Sequence, residues 1–369
     1  MRIELIRRPE RSAKMALLSP LLAIGLTVVA GFIIFALIGV APLEALYVYF
    51  SEPLTQSWSL QDLVVKATPI ILIAVGLSVC YQSNSWNIGA EGQLAVGAIF
   101  GSALPIYFPA WHGPTILPLM LILGAVGGMA YGAIPALLKT RFGANEILTS
   151  LMLVYVAQLV LDWFARGPWR DPAGHNFPDS RAFDDGQLLP VILGDSIKLN
   201  VVFMLIAVVA VWFLIRKTIT GFQIATLGQA PRAGAFAGFS QARMTLFTFL
   251  ISGGLAGLAG ICEVAGPIEK LRISVSPGYG FTAVIVAFLG RLTPIGILFA
   301  GLLLALSYLG GEGAQVALGV SEQITRVFQG MLLFFVLACD TLIFYRVRLV
   351  RRPAHQASLR TAEAPHGNA

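Results

Sequence analysis

Residues 92–138 read GQLAVGAIFGSALPIYFPAWHGPTILPLMLILGAVGGMAYGAIPALL and hold no Asp, Glu, Lys or Arg. One membrane-spanning helix needs only about 20 apolar residues. The tract therefore holds two spans, divided at Pro109-Ala110-Trp111-His112-Gly113-Pro114. The rest of the 369-residue chain agrees, being 57% hydrophobic and 12% charged, which lies outside the composition of soluble domains. The surrounding solvent is a bilayer.

Working outward, apolar segments fall at 16–40, 63–82, 88–108, 115–138, 147–165, 199–216, 245–264, 279–290, 294–310 and 324–345. These predict an all-α polytopic fold of about ten spans. An N-terminal signal peptide is not expected, because the first segment exceeds the length of an h-region and becomes the first helix. The net charge of +6 sits at segment ends: Arg7, Arg8, Arg11 and Lys14 before the first, Arg346, Arg348, Arg351 and Arg352 after the last. With both termini in the cytoplasm, 17 of the 25 Lys and Arg lie on that side, as the positive-inside rule requires. Neither basic cluster alternates with aromatics, so nucleic acid is not an expected partner. Cys80, Cys262 and Cys339 lie in apolar segments without a neighbouring His and read as packing residues.

The expected organisation is a basic cytoplasmic N-terminus at 1–15, a membrane domain at 16–345 and a cytoplasmic tail at 346–369. Within the domain, halves 16–165 and 199–345 flank an external loop at 166–198, and 217–243 is a cytoplasmic loop able to form a short helix. Five spans per half force the halves into opposite orientations, an architecture whose pathway runs at the interface of the repeats. Each half contains a broken helix. The first break is Tyr81-Gln82-Ser83-Asn84-Ser85-Trp86-Asn87-Ile88-Gly89; the second runs from Gly266-Pro267 through Ser276-Pro277-Gly278-Tyr279-Gly280.

Irregular backbone at membrane depth is tolerated only where protein covers it or a wet cavity adjoins it. Asn84, Asn87, Gly89, Glu91, Gly92 and Gln93 in the first break, and Gly278, Tyr279 and Gly280 in the second, are therefore candidate pathway residues. Glu91 and Asn87 have an alternative role as caps of the following helix, whose N-terminal dipole favours a carboxylate. The glycine pairs Gly124/Gly128, Gly128/Gly132 and Gly253/Gly257 suit close helix crossings. Absences narrow the function. The chain has no GxxxxGK[ST], HExxH or GxSxG, and its four histidines, 112, 175, 355 and 366, are scattered. Neither ATP hydrolysis nor membrane-embedded enzyme chemistry is expected of it. An ion-coupled carrier would have only Glu91 and Glu263 as seeds of an ion site.

Ser85-Trp86-Asn87-Ile88-Gly89-Ala90-Glu91-Gly92-Gln93-Leu94 resembles a signature of the nucleoside and simple-sugar branch of ATP-binding-cassette (ABC) importer permeases. That branch is related more distantly to ribose and branched-chain amino acid permeases. Further matches follow in the family's order: Gly143-Ala144-Asn145-Glu146-Ile147, Leu227-Gly228-Gln229-Ala230-Pro231-Arg232-Ala233, Ser276-Pro277-Gly278-Tyr279-Gly280-Phe281, and Leu289-Gly290-Arg291-Leu292-Thr293-Pro294-Ile295-Gly296.

The resemblance implies a type II importer fold in the bacterial inner membrane. Its implied partners are a second permease in a heterodimer, cytoplasmic ABC ATPases that use ATP and Mg, and an external substrate-binding protein; no cofactor is implied for this chain. Gly228, Gln229, Pro231, Ala233, Ala237 and Gly238 would form the ATPase-coupling helix. Ala230 stands where the family commonly has Asn, and Gly234 where it has Ala, so the start of that helix lacks a capping side chain. The expected solute is small, neutral and polar: a nucleoside first, then a simple sugar, then a branched-chain amino acid.

Overall fold

The computed structural model describes residues 2–7, 13–111, 113–174 and 177–350. Arg8, Arg11, the four histidines and the tail beyond Val350 lie outside the described residues. In chain order the elements are β1 (Arg2–Arg7), α1 (Ala13–Ile38), α2 (Pro42–Leu46), α3 (Ser57–Gln82), α4 (Ala90–Tyr107), α5 (Ile116–Phe142) and α6 (Glu146–Arg166). They continue as β2 (Val191–Leu193), β3 (Ile197–Lys198), α7 (Asn200–Lys217), α8 (Ile219–Gln229), α9 (Pro231–Phe236), α10 (Gln241–Glu263), α11 (Tyr279–Leu289), α12 (Pro294–Leu318), α13 (Glu322–Phe344) and β4 (Tyr345–Val350). Each apolar segment of the sequence is helical.

This is a helical, multi-pass membrane protein. Among the described residues α1, α3, α5, α6, α7, α10 and α12 are long and apolar enough to span a bilayer. α4 begins with Glu91 and Gln93. α11 has 11 residues, about 16 Å at 1.5 Å per residue, or half the hydrocarbon thickness. Such a helix can start only inside the bundle.

The chain forms two compact units, 1–33 with 330–369, and 34–329. In the first, β1 and β4 pair antiparallel, with Glu4 opposite Arg348. The segment expected to open the tail at 346 therefore begins as a strand. Its period-two alternation, YRVRLV against RIELIR, is the pattern of a ribbon rather than a helix.

In the second unit α3 is the axial helix. From Ala67 to Tyr81 every residue is buried, as a helix apolar on all sides requires. α10 packs most extensively on α5, α4 and α3. Glycine sets the approach of α5 and α10. A Cβ on Gly128 would lie 2.1 Å from the Gly253 carbonyl oxygen, and one on Gly257 2.3 Å from that of Gly124. All three glycine pairs noted in the sequence thus serve one helix crossing, a Cβ on Gly132 facing the Phe249 oxygen at 3.0 Å. Cys80 and Cys262 are buried and free beside it.

Two boundaries differ from expectation. α3 starts at Ser57 rather than 63, and α12 runs to Leu318 rather than 310, with Gly319 in the left-handed conformation as its stop. The Gly310-Gly311-Glu312-Gly313 run reads as a terminator, yet it stays helical. The segment 47–51 lies against it, so closely that a Cβ on Gly310 would sit 1.9 Å from the Tyr49 oxygen. Tyr49 is fastened there by a 2.8 Å bond between its hydroxyl and Ser307, and by stacking on Phe328 at 4.9 Å.

Replacing Gly128 or Gly257 by Ala is expected to destabilise the protein by about 1–3 kcal/mol, the usual cost of overpacking. The check is a lower unfolding midpoint in detergent, with Gly330→Ala unchanged or raised because nothing lies within 4 Å of its Cβ.

Candidate functional site

The first break leaves α3 at Gln82 and re-enters the bundle at Ala90. It is held by side chains of three helices. The Tyr81 hydroxyl donates to the Asn87 carbonyl at 2.9 Å, and Ser150 of α6 accepts from the Ile88 N–H at 3.1 Å. On α10, Thr245 meets Ser85, Thr248 meets Ser83, and Ser252 accepts from Asn87 at 3.0 Å. Those three residues, at spacing 3 and 4, share one helix face.

At its centre Asn87 and Gln93 exchange two hydrogen bonds, at 3.0 and 3.1 Å, while Asn87 Oδ1 also accepts from the Gly89 N–H. With Ser252, Asn87 uses two donors and two acceptor sites, the full capacity of a carboxamide. It is completely buried. Gly89 and Gly92 lie against α6, with Cβ positions 3.0 Å from Ser150 and from the Val154 Cα. Asn84 is separate and exposed, at φ 54°, accepting from the Trp86 indole at 3.1 Å.

The second break, residues 264–278, is covered by the loop at 166–198. Ser180 and Leu271 exchange bonds, Phe183 N–H donates to the Glu269 carbonyl, and Leu189 N–H to that of Ala265. Lys270 pairs with Asp179 at 2.7 Å and Lys198 with Glu269 at 2.8 Å. Past Gly278, in the left-handed region at φ 107°, α11 begins.

The two breaks meet there. Glu91, in the first turn of α4 and 4% exposed, accepts a 2.6 Å hydrogen bond from the backbone N–H of Gly280 in the first turn of α11. A Cβ on Gly280 would lie 2.3 Å from the Glu91 nitrogen. Two positive helix ends thus converge on one carboxylate, which occupies the place an anion would otherwise take. The cap expected of Glu91 is made to α11, while α4 itself starts at Gly89 with no side-chain cap.

Beside this contact lie residues that sequence reading passed over. Thr282 bonds the Tyr308 hydroxyl at 2.8 Å, Tyr308 packs edge-on against Tyr279 at 5.6 Å, and the Gln329 Nε2 has no hydrogen-bond partner among the described residues. Single polar residues inside apolar helices give little sequence signal. Thr245, Thr248 and Ser252 could have been found from their spacing on one face. Among the described residues no three His, Cys, Asp or Glu groups are placed to hold a metal ion.

The 217–243 segment forms α8 and α9. Gly228 rests on the end of α3, where a Cβ would lie 1.9 Å from the Gln82 oxygen. Gln82 in turn donates to the Leu292 carbonyl, just past α11, at 2.7 Å. Gln229, Pro231, Ala233, Ala237 and Gly238 are exposed, with Gly238 at φ 80° closing α9. α9 starts at Ala230 without a side-chain cap, as the sequence indicated. Phe236, absent from the sequence reading, is 94% exposed at its end.

A family profile described as "Branched-chain amino acid transport system / permease component" matches residues 59–337. The chain is 35% identical over 362 residues to the glucose ABC transporter permease protein TsgB13 of Haloferax volcanii, covering 94% of each protein. It is 28% identical to the guanosine ABC transporter permease protein NupP of Bacillus subtilis, over 92% of this chain and 98% of that one. A similar 28% relates it to the nucleoside ABC transporter permease protein NupB of Lactococcus lactis, over 86% of this chain and 90% of that one. No solved structure matches.

Asn87→Leu strands Gln93, Ser252 and the Gly89 N–H together, and is expected to destabilise by on the order of 3 kcal/mol, each unsatisfied group costing about 1–3. Glu91→Leu strands the Gly280 N–H, whereas Glu91→Gln keeps an oxygen acceptor there. Thermal unfolding in detergent should rank wild type and Glu91→Gln well above Glu91→Leu.

Proposed function

The chain belongs to the permease-component family named for the branched-chain amino acid transport system, and on that premise we propose that it carries a small neutral hydroxylated solute as the membrane-spanning subunit of an ABC importer. The carrying observation is Gly228 seated on Gln82, the last residue of α3 before the first break. It links the projecting helix α9 mechanically to the polar break. In this reading α9 is the coupling helix that enters a groove on a cytoplasmic ATPase, with Phe236 as its anchor and Ala233 and Ala237 on its exposed surface. ATP and Mg belong to that separate subunit.

ATPase closure moves α9 and α8 against the end of α3. The motion reaches the first break through Gln82, and α11 through the Gln82–Leu292 bond. The Glu91–Gly280 contact is the joint across which the inverted halves 16–165 and 199–345 then rock, opening the path to each side in turn. The lipid setting is the cytoplasmic membrane, the inner membrane in a bacterium, with ten crossings, both chain ends inside and α9 on the inner face. A second permease completes the path, and an external binding protein delivers the solute.

A neutral solute is supported by Glu91, which fills the anion-attracting helix ends. The nucleoside permeases NupP and NupB among the relatives support a nucleoside. The glucose permease, at 35% identity, supports a second reading in which the solute is a simple sugar.

The test is ATP-driven uptake of guanosine and glucose by the complete importer in proteoliposomes. Ala233→Trp and Phe236→Ala are expected to reduce uptake by about tenfold or more, since interface anchors of this kind are worth about 2 kcal/mol or more. Assembly with the second permease should be unaffected. Gly228→Trp is the weaker probe, because its clash falls inside this chain. Normal uptake by Ala233→Trp, or uptake that persists when the ATPase loses its Walker lysine, would refute the reading.

A further inference from the structure

The end of the bundle opposite α8 and α9 contains a cavity of about 350 Å³ between the 48–62 segment and the last turns of α12. It lies at the start of α3, and Gly228 touches the end of the same 26-residue helix, about 39 Å away at 1.5 Å per residue. We propose that this cavity is a reception site for a neutral, polyhydroxylated ring, a sugar or the sugar moiety of a nucleoside. The inference rests on the transport reading and gives the solute its first station on this chain.

The lining argues for that chemistry. Trp58 is 61% exposed and offers an aromatic face to the apolar side of a sugar ring or to a base. Asp62 and Glu52 line the same cavity, and among the described residues no side chain pairs with either carboxylate, which leaves both as acceptors for hydroxyl groups. Glu312 lines it too, but is held at 2.7 Å by Lys66 of α3. Three carboxylates repel an anion, and they do not converge as a metal-binding group.

The size suits one small ligand, pockets for such ligands starting at about 300 Å³. A second cavity of about 490 Å³, lined by residues such as Phe100, Val160 and Trp169, shows the contrast. Its wall is apolar apart from Tyr131, whose hydroxyl is engaged as donor to the Leu153 carbonyl.

The experiment is saturation-transfer NMR on the full chain with its permease partner in lipid nanodiscs, without the binding protein, using millimolar D-glucose and guanosine. Wild type is expected to transfer saturation to ring protons of at least one of them. Trp58→Ala and Asp62→Asn should weaken the binding by about fivefold to tenfold, whereas Val160→Ala at the apolar cavity should not. All three positions are partly exposed or loosely packed, so a single elution peak for each variant establishes folding. Undiminished transfer in Trp58→Ala and Asp62→Asn, or no transfer from either solute to wild type, overturns the site. Uptake measured in parallel separates the two ideas: a wild type that imports without transfer refutes the cavity alone, and one that fails to import refutes the transport reading.

Discussion

A hydrocarbon interior supplies no hydrogen bonds, so every backbone group that leaves a helix there must be answered by protein. This chain leaves helix twice in its main unit, and most of its polar architecture follows from that. The backbone of the first break is answered by Tyr81, Ser150 and the Asn87 side chain, and its side chains by Gln93 and the hydroxyl face of α10; the second break is answered by the loop at 166–198. Where the two approach, a carboxylate in the first turn of α4 accepts from the first turn of α11. The breaks are built into a single structure.

That economy bears on how the protein moves. The Asn87 knot is saturated and buried, which makes it a rigid part of α4 and α10 rather than a surface for a passing solute. The Glu91–Gly280 contact joins α4 to α11 through one hydrogen bond and a glycine without a side chain. A joint of that kind can part and reform at small cost, while the α5–α10 crossing, fixed by opposed glycines, cannot slide without backbone collision. Rigid and yielding contacts are thus segregated, as the proposed alternation between two states requires.

The ends of α3 tie this centre to both faces of the protein. One end receives Gly228 of α8 and reaches Leu292; the other borders the cavity that holds Trp58, Asp62 and Glu312. Because α3 is buried from Ala67 to Tyr81, a displacement at its Gly228 end has little soft surface in which to dissipate.

Much of this was legible in the sequence because the bilayer enforces it residue by residue. Uncharged runs located the helices, the runs of small and polar residues at 81–89 and 266–280 located the breaks, and Ala230 announced an uncapped start to α9. What composition could not reveal were relations between distant positions. The run Gly310–Gly313 looks like a helix end until Tyr49 is seen pressing on it, and Thr245, Thr248 and Ser252 look like ordinary helix residues until the first break is placed against them. Glu91 reads as the cap of its own helix, since local sequence can name only local partners; its partner, Gly280, is 189 positions away. The sequence by itself determined where the chain is helical and where it must break, for those depend on solvent and local backbone preference. Tertiary structure alone decided which break answers which, because a hydrogen-bond partner is chosen by proximity in space.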